Sequence, residues 1–145
     1  MKIGGVYQLP VARDRAYSML QDPAILARCI PGCGGLNRTA GNEYNMQMKL
    51  ALASISGLFE GKVRITEQNP PESFRLAVEG KGKIGFMKGD GLLRLVDKDG
   101  GTEVSYVGDV QVGGTIAAVG QRLLDTTAKM MIKRFFDQLA ECAGQ

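Results

Sequence analysis

The stretch TIAAVGQRLLDTTAKMMIKRFFDQLAECA, Thr115–Ala143, decides how the rest of the chain is read. Ile116, Val119, Leu123, Thr127, Met130, Met131, Phe135 and Leu139 recur in it at spacings of three and four. That pattern predicts one long helix with a continuous apolar stripe. At ~1.5 Å per residue the helix is expected to run roughly 40 Å. Thr115 follows Gly113-Gly114 and is placed to cap its start. Gly144 marks its end. Gly120 falls inside the helix on the side of Ile116 and Leu123. A glycine there costs about 1 kcal/mol relative to alanine. The cost asks for a steric reason, either close packing against a strand or room for a flat ring.

Upstream of the helix the hydrophobic period is two. Met46, Met48, Leu50 and Leu52 alternate with polar or small residues, as do Phe59, Gly61, Val63 and Ile65. Phe74, Leu76 and Val78 repeat the pattern, followed by Val104, Tyr106, Val110 and Val112. Each run predicts a strand with one buried and one wet face. Ile3 to Leu9 forms a first strand, and Ile84 to Val96 another that is interrupted by glycines. Turn residues at Gly41-Asn42, Asn69-Pro70-Pro71 and Asp97–Gly101 separate the runs. Such short links join antiparallel neighbours. Two short helices, Val11–Leu20 and Pro23–Cys29, follow the first strand, the second with Asp22 as cap and Pro23 at its first position. The result is an α+β order with about seven strands. A curved antiparallel sheet wraps the long C-terminal helix, a helix-grip arrangement, and a ligand fits where sheet and helix fail to meet. Met46, Met48, Met87, Met130 and Met131 are adaptable apolar fillers for such a gap, although packing of an ordinary core is the first reading of methionine.

Composition bounds the function. With 145 residues, 44% of them apolar, the chain is expected to form a single domain spanning 1–145 with a real core. The 20 glycines point to bends and close backbone approaches. A net charge of +3 with no basic run argues against nucleic acid. No signal-like segment opens the chain and no apolar stretch is long enough to span a bilayer, so a cytoplasmic protein is expected.

Three motifs invite chemistry without supporting it. Gly80-x-Gly82-x-x-Gly85 matches a dinucleotide fingerprint, but that motif needs a following helix and Phe86 to Leu95 reads as strand. The glycines are expected to mark bends in the sheet. Cys29-x-x-x-Cys33 lacks the further ligands of a metal site, and Cys142 is distant in sequence. Without histidine, acid–base work would fall to carboxylates, lysines, tyrosines or cysteines, and Asp109 and Asp125 have no evident partner. No catalytic residue, cofactor or metal is expected. Tyr106, in phase with inward residues, is the first choice for a polar contact to a ligand, with a satisfied core tyrosine as the equal alternative.

Several segments together resemble the CoxG family of carbon monoxide dehydrogenase subunits. They are Asp22-Pro23, Ala27–Cys33, Gly57–Val63, Asn69–Pro71, Gly80–Gly89, Gly113–Asp125 and Arg134–Phe136, in that order over almost the whole chain. Cys29-Ile30-Pro31-Gly32 and the Gly113-Gly114…Gly120 segment are the most specific. The resemblance implies the SRPBCC superfamily and its START/Bet v 1-like helix-grip fold. It implies a partner of the molybdenum hydroxylase class, with a role in assembly, membrane recruitment or quinone transfer. Many members continue into a membrane-interacting extension, whereas this sequence stops at Gln145, so a permanent anchor is not expected.

The expected function is that of a non-enzymatic carrier for an apolar small molecule, a quinone or lipid. Its cavity would be lined by Met48, Leu50, Phe59, Phe74, Leu76, Phe86, Tyr106, Val119, Gly120, Leu123 and Met131. Lys81, Lys83, Met87 and Lys88 would form an apolar and basic tip for a transient membrane or partner contact, with a solvated face as the commoner reading of such lysines. The alternative is a docking protein for the hydroxylase with a filled core. A small enzyme on the same scaffold is the weakest reading.

Overall fold

Alternating side chains and short turns give seven strands in the computed structural model, which describes residues 1–52 and 54–144. Gln145, the last residue of the expected domain, lies outside them. The order is β1 (Lys2–Leu9), α1 (Arg13–Leu20), α2 (Pro23–Cys29), β2 (Cys33–Ala40), β3 (Glu43–Leu52), β4 (Ile55–Asn69), β5 (Ser73–Gly82), β6 (Gly85–Lys98) and β7 (Gly101–Gly113). A 3₁₀ turn (Thr115–Val119) and α3 (Gln121–Ala143) complete it. The sheet runs β1-β7-β6-β5-β4-β3-β2, and every neighbouring pair is antiparallel. β1 and β2 occupy opposite edges, so α1 and α2 carry the chain from one edge to the other.

Register sets one apolar face. Ile65 pairs with Leu76, Phe74 with Leu93, Leu93 with Tyr106 and Tyr106 with Gly5. Cross-strand partners share a face, so these rows form the concave inner surface. Leu9, Ile65, Phe74, Leu95 and Val104 on this face are buried to 2% exposure or less.

The short helices close one end of it. Asp22 caps α2 by accepting from the Ala24 amide at 2.9 Å, with Pro23 in the first turn. In α1, Ala16, Tyr17, Met19 and Leu20 are buried. The Tyr17 ring meets Phe74 edge to face at 5.6 Å, and its hydroxyl donates to the Ser73 carbonyl at 2.9 Å. α3 supplies the largest plug. Phe136 stacks on Tyr7 at 4.4 Å, and Leu139 is wholly buried.

Four local expectations are corrected. α1 begins at Arg13, two residues later than the apolar pattern suggests. β2, Cys33–Ala40, falls in none of the alternating runs, because its exposure does not alternate and its register shifts at Cys33/Gly35 and Arg38/Ala40. The buried face of α3 runs through Phe136, Leu139, Cys142 and Ala143, while Met130 of the expected stripe is 44% exposed. The helix also does not start at Thr115, whose hydroxyl caps nothing. The 3₁₀ turn ends at Gly120, and α3 begins after it.

Gly120 has φ +97° and ψ 153°, a region open essentially to glycine alone. Nothing lies within 4 Å of where its Cβ would be. The glycine therefore serves the backbone turn rather than a close packing contact against a strand, which corrects the first of the two steric reasons expected from the sequence. Gly120→Ala is expected to lower stability by about 1–3 kcal/mol, read by urea unfolding. A continuous helix would instead be stabilised by about 1 kcal/mol, because alanine outranks glycine in a helix interior.

Candidate functional site

The two halves of α3 meet the sheet differently. Its C-terminal half is closed at Phe136, Leu139, Cys142 and Ala143. Its N-terminal half carries Leu123, Leu124, Met131 and Ile132, which are only half-buried. The inner-facing strand residues Leu50, Leu76, Val78, Met87, Val110 and Val112 are likewise half-buried. Apolar side chains in phase with a core, yet still reached by solvent, mark incomplete contact between two layers.

The expected lining residues separate into three groups. Leu50, Leu76, Tyr106, Val119, Leu123 and Met131 are half-buried apolar or aromatic residues. Met48, Phe59 and Phe74 are 8%, 4% and 2% exposed and belong to the closed core. Phe86 lies elsewhere, and Gly120 is exposed at the start of α3. Phe86 pairs with Gly113 and Lys81, in the phase opposite to Met87, and is 51% exposed on the outer face. The reason is the unbroken alternation of β6, in which Met87, Leu93 and Leu95 take the inner phase and Phe86 the outer one. The sequence pattern missed Leu124 and Ile132. They follow a spacing of four with Ala128 and Phe136, as regular as the stripe through Leu123 and Met131.

The glycine segment behaves as bends in a sheet. A Cβ on Gly61 would overlap the Glu79 carbonyl, and one on Gly82 the Leu58 carbonyl. Strands approach too closely there for any side chain. On the outer face a groove of about 640 Å³ crosses β3 to β6. One wall is Gln47, Glu60, Lys81 and Phe86, and the other is Asn45, Lys62, Glu79 and Lys88. Met46, Gly61, Gly80 and Met87 lie between them with side chains in the inner phase, so the floor is backbone. The expected basic tip is thus divided. Lys81 and Lys88 stand on the outer face with Phe86, Met87 points inward, and Lys83 sits in the hairpin turn. Glu60 lies opposite Lys81, and Glu79 opposite both Lys62 and Lys88, so charge alternates along the groove.

Tyr106 extends across β1. A Cβ on Gly5 would lie 2.9 Å from its hydroxyl oxygen. Its ring stacks near Tyr7 and Phe136, at 6.2 and 6.1 Å. Burial raises its pKa above the usual phenol value, with Tyr7 adding to the shift.

The cysteines pair differently from their spacing. Cys29 Sγ lies 3.9 Å from Cys142 Sγ, both buried and both free thiols. Burial, with the Cys142 thiol beside it, pushes Cys29 up to about 12. The half-buried Cys33 instead donates weakly to the Gly35 carbonyl at 3.5 Å. No group of three or more metal-binding side chains comes together among the described residues. Nor is any helix among them long and apolar enough to cross a membrane.

A curved antiparallel sheet gripping a C-terminal helix, with half-buried apolar side chains between the two, defines a helix-grip protein. The chain belongs to the CoxG family of carbon monoxide dehydrogenase subunits, whose model matches residues 5–144. It is similar to the crystal structure of a conserved protein from Geobacillus kaustophilus, with 31% identity and a TM-score of 0.93 over 97% of this chain and 93% of that one. A protein from Chromobacterium violaceum shares the fold at 21% identity and a TM-score of 0.73, covering 97% of this chain and 95% of its own. One from Mycobacterium smegmatis does so at 17% identity and a TM-score of 0.73, covering 99% and 90%. No curated protein matches significantly.

Thiol reactivity follows thiolate population and access. Iodoacetamide at neutral pH is expected to modify Cys33 first, leaving Cys29 and Cys142 until the protein unfolds. Peptide mapping by mass spectrometry reads the order.

Proposed function

We propose that this protein is a non-enzymatic carrier of a small apolar molecule, a quinone or lipid, and serves a carbon monoxide dehydrogenase-type molybdenum hydroxylase. One observation supports the reading most. Apolar side chains on the inner sheet face and on the first half of α3 remain half-buried, while the other half of the same interface is closed. A ligand seated there would cover Leu50, Leu76, Val119, Leu123 and Met131, with Tyr106 beside it and Met48, Phe59 and Phe74 as the floor. Burial would contribute about 25 cal/mol per Å² before the costs of association. Gly120, with no neighbour at its Cβ position, leaves the join between the 3₁₀ turn and α3 free to bend when the ligand enters. Family membership supports the hydroxylase as the recipient.

Organic extraction of the purified protein, followed by mass spectrometry, tests the carrier reading. A quinone or lipid near one per chain is the expected result. An extract still empty after incubation with membranes rejects it.

A second reading, a docking protein for the hydroxylase or for a membrane surface, is favoured by the half-exposed Phe86 beside Lys81 and Lys88. An apolar ring next to cations suits a peripheral contact with an anionic bilayer. Substituting Lys81, Lys83 and Lys88 by glutamate is expected to abolish sedimentation with anionic liposomes. Unchanged sedimentation would place any membrane contact elsewhere.

A further inference from the structure

We propose that β1 is a docking edge for a second copy of this chain, pairing antiparallel with its counterpart so that two sheets become one. The two edges of the sheet are unlike. β2 carries register shifts at Cys33/Gly35 and Arg38/Ala40, the kind of irregularity that keeps a sheet edge from pairing. β1 pairs with β7 from Lys2 to Leu9 without a shift and contains no proline.

The hydrogen bonds of β1 define which of its groups are free. The Met1 carbonyl accepts from the Val110 amide at 2.8 Å. Along an antiparallel ladder, residues alternate between bonding to a neighbour and turning away from it. Ile3, Gly5, Tyr7 and Leu9 therefore bond to β7, and the N–H and C=O of Lys2, Gly4, Val6 and Gln8 point off the edge. The side chains of the same four residues lie on the outer face. With two copies related by a two-fold axis at Gly5, Gly4 meets Val6 and Lys2 meets Gln8, so every free group from Lys2 to Gln8 gains a partner. An axis at Gly4 or at Val6 keeps the hydrogen-bond alternation but leaves one end of the row unpaired.

Side chains suit the axis at Gly5. Val6 and Val107 are 59% and 62% exposed on the outer face, and Leu92 lies opposite Val107. Gly4 is the β1 partner of Val107, and a Cβ on it would lie 3.7 Å from Val107 Cγ1. Because Gly4 has none, Val6 of the second copy would stand over open floor, diagonal to its own counterpart. Apolar side chains so placed are within reach of each other, and the two strips merge into one. Charges also match. Across the joint the outer row reads Asp109, Lys2, then Gln8 and Glu103 of the second copy, and no like charges meet. On the inner face the Tyr106 hydroxyl makes no hydrogen bond among the described residues and lies 2.9 Å from where a Gly5 Cβ would be. Pairing Gly5 with Gly5 sets that hydroxyl across the axis from its counterpart. A single strand pair buries less than the roughly 1,200–2,000 Å² of a standard interface, so the dimer is expected to be weak. Its existence does not depend on the carrier reading.

Sedimentation velocity over a concentration series tests the pairing. The wild-type protein is expected to pass from monomer to dimer below about 1 mM. Val6→Lys is expected to raise the dissociation constant by about tenfold or more, because it sets like charges diagonally across the axis. Leu58→Lys, on β4 and 71% exposed in the wild type, is expected to leave dimerisation unchanged. Carbodiimide cross-linking with peptide mapping reads the register. Glu103 lies opposite Gln8, so within one chain Lys2 and Glu103 are roughly 20 Å apart at ~3.4 Å per residue. A Lys2–Glu103 cross-link in the dimer is therefore expected only between copies. A wild-type protein that stays monomeric to about 1 mM, a Val6→Lys variant that dimerises as the wild type does, or a dimer without that cross-link would overturn the proposal.

Discussion

Everything in this molecule depends on how the C-terminal half of α3 seats on the concave face of the sheet. A twisted sheet with one apolar face cannot stand alone in water, because half of its side chains would be solvated. Phe136 on Tyr7 and the wholly buried Leu139 close one end of that face, and α1 adds Tyr17 against Phe74. Truncating a side chain such as Leu139 would remove about 2–5 kcal/mol, a large share of a small domain's stability. With one end of α3 anchored this way, its other end is free to be less tightly packed.

The half-buried and the closed parts of this interface lie on one helix, Leu123–Ile132 followed by Phe136–Ala143. Leu123 and Met131 remain half-buried. The helix that carries them starts after Gly120, where the chain leaves the 3₁₀ turn in a conformation only glycine adopts readily. The curvature has a similar origin. Gly61 and Gly82 allow neighbouring strands to approach where any Cβ would meet a carbonyl oxygen.

The two candidate contact surfaces differ in chemistry. The outer groove alternates lysine and glutamate across β3 to β6, so Phe86 and the hairpin lysines carry whatever preference it has for a membrane or protein. A niche of about 200 Å³ beside β1 is smaller, and Tyr106, Asp125 and Lys129 line it. Cys29 and Cys142 lie away from both and join α2 to α3 as a buried thiol pair.

Much of the fold was legible in the sequence, because it rests on periodicity. The alternation at Met46–Leu52, Phe59–Ile65 and Phe74–Val78 identifies strands, and the Asp22-Pro23 start of α2 follows from local hydrogen bonding. Tyr106 could be placed on the inner face from phase alone. Tertiary structure decided what periodicity leaves degenerate. β2 has no alternation to read, and two stripes of equal regularity on α3 differ only in which one the sheet meets. Cys29 finds Cys142 rather than Cys33. The physical reason is common to all three. Spacing along the chain specifies which side chains share a face, but only the packing of one face against another determines what that face touches.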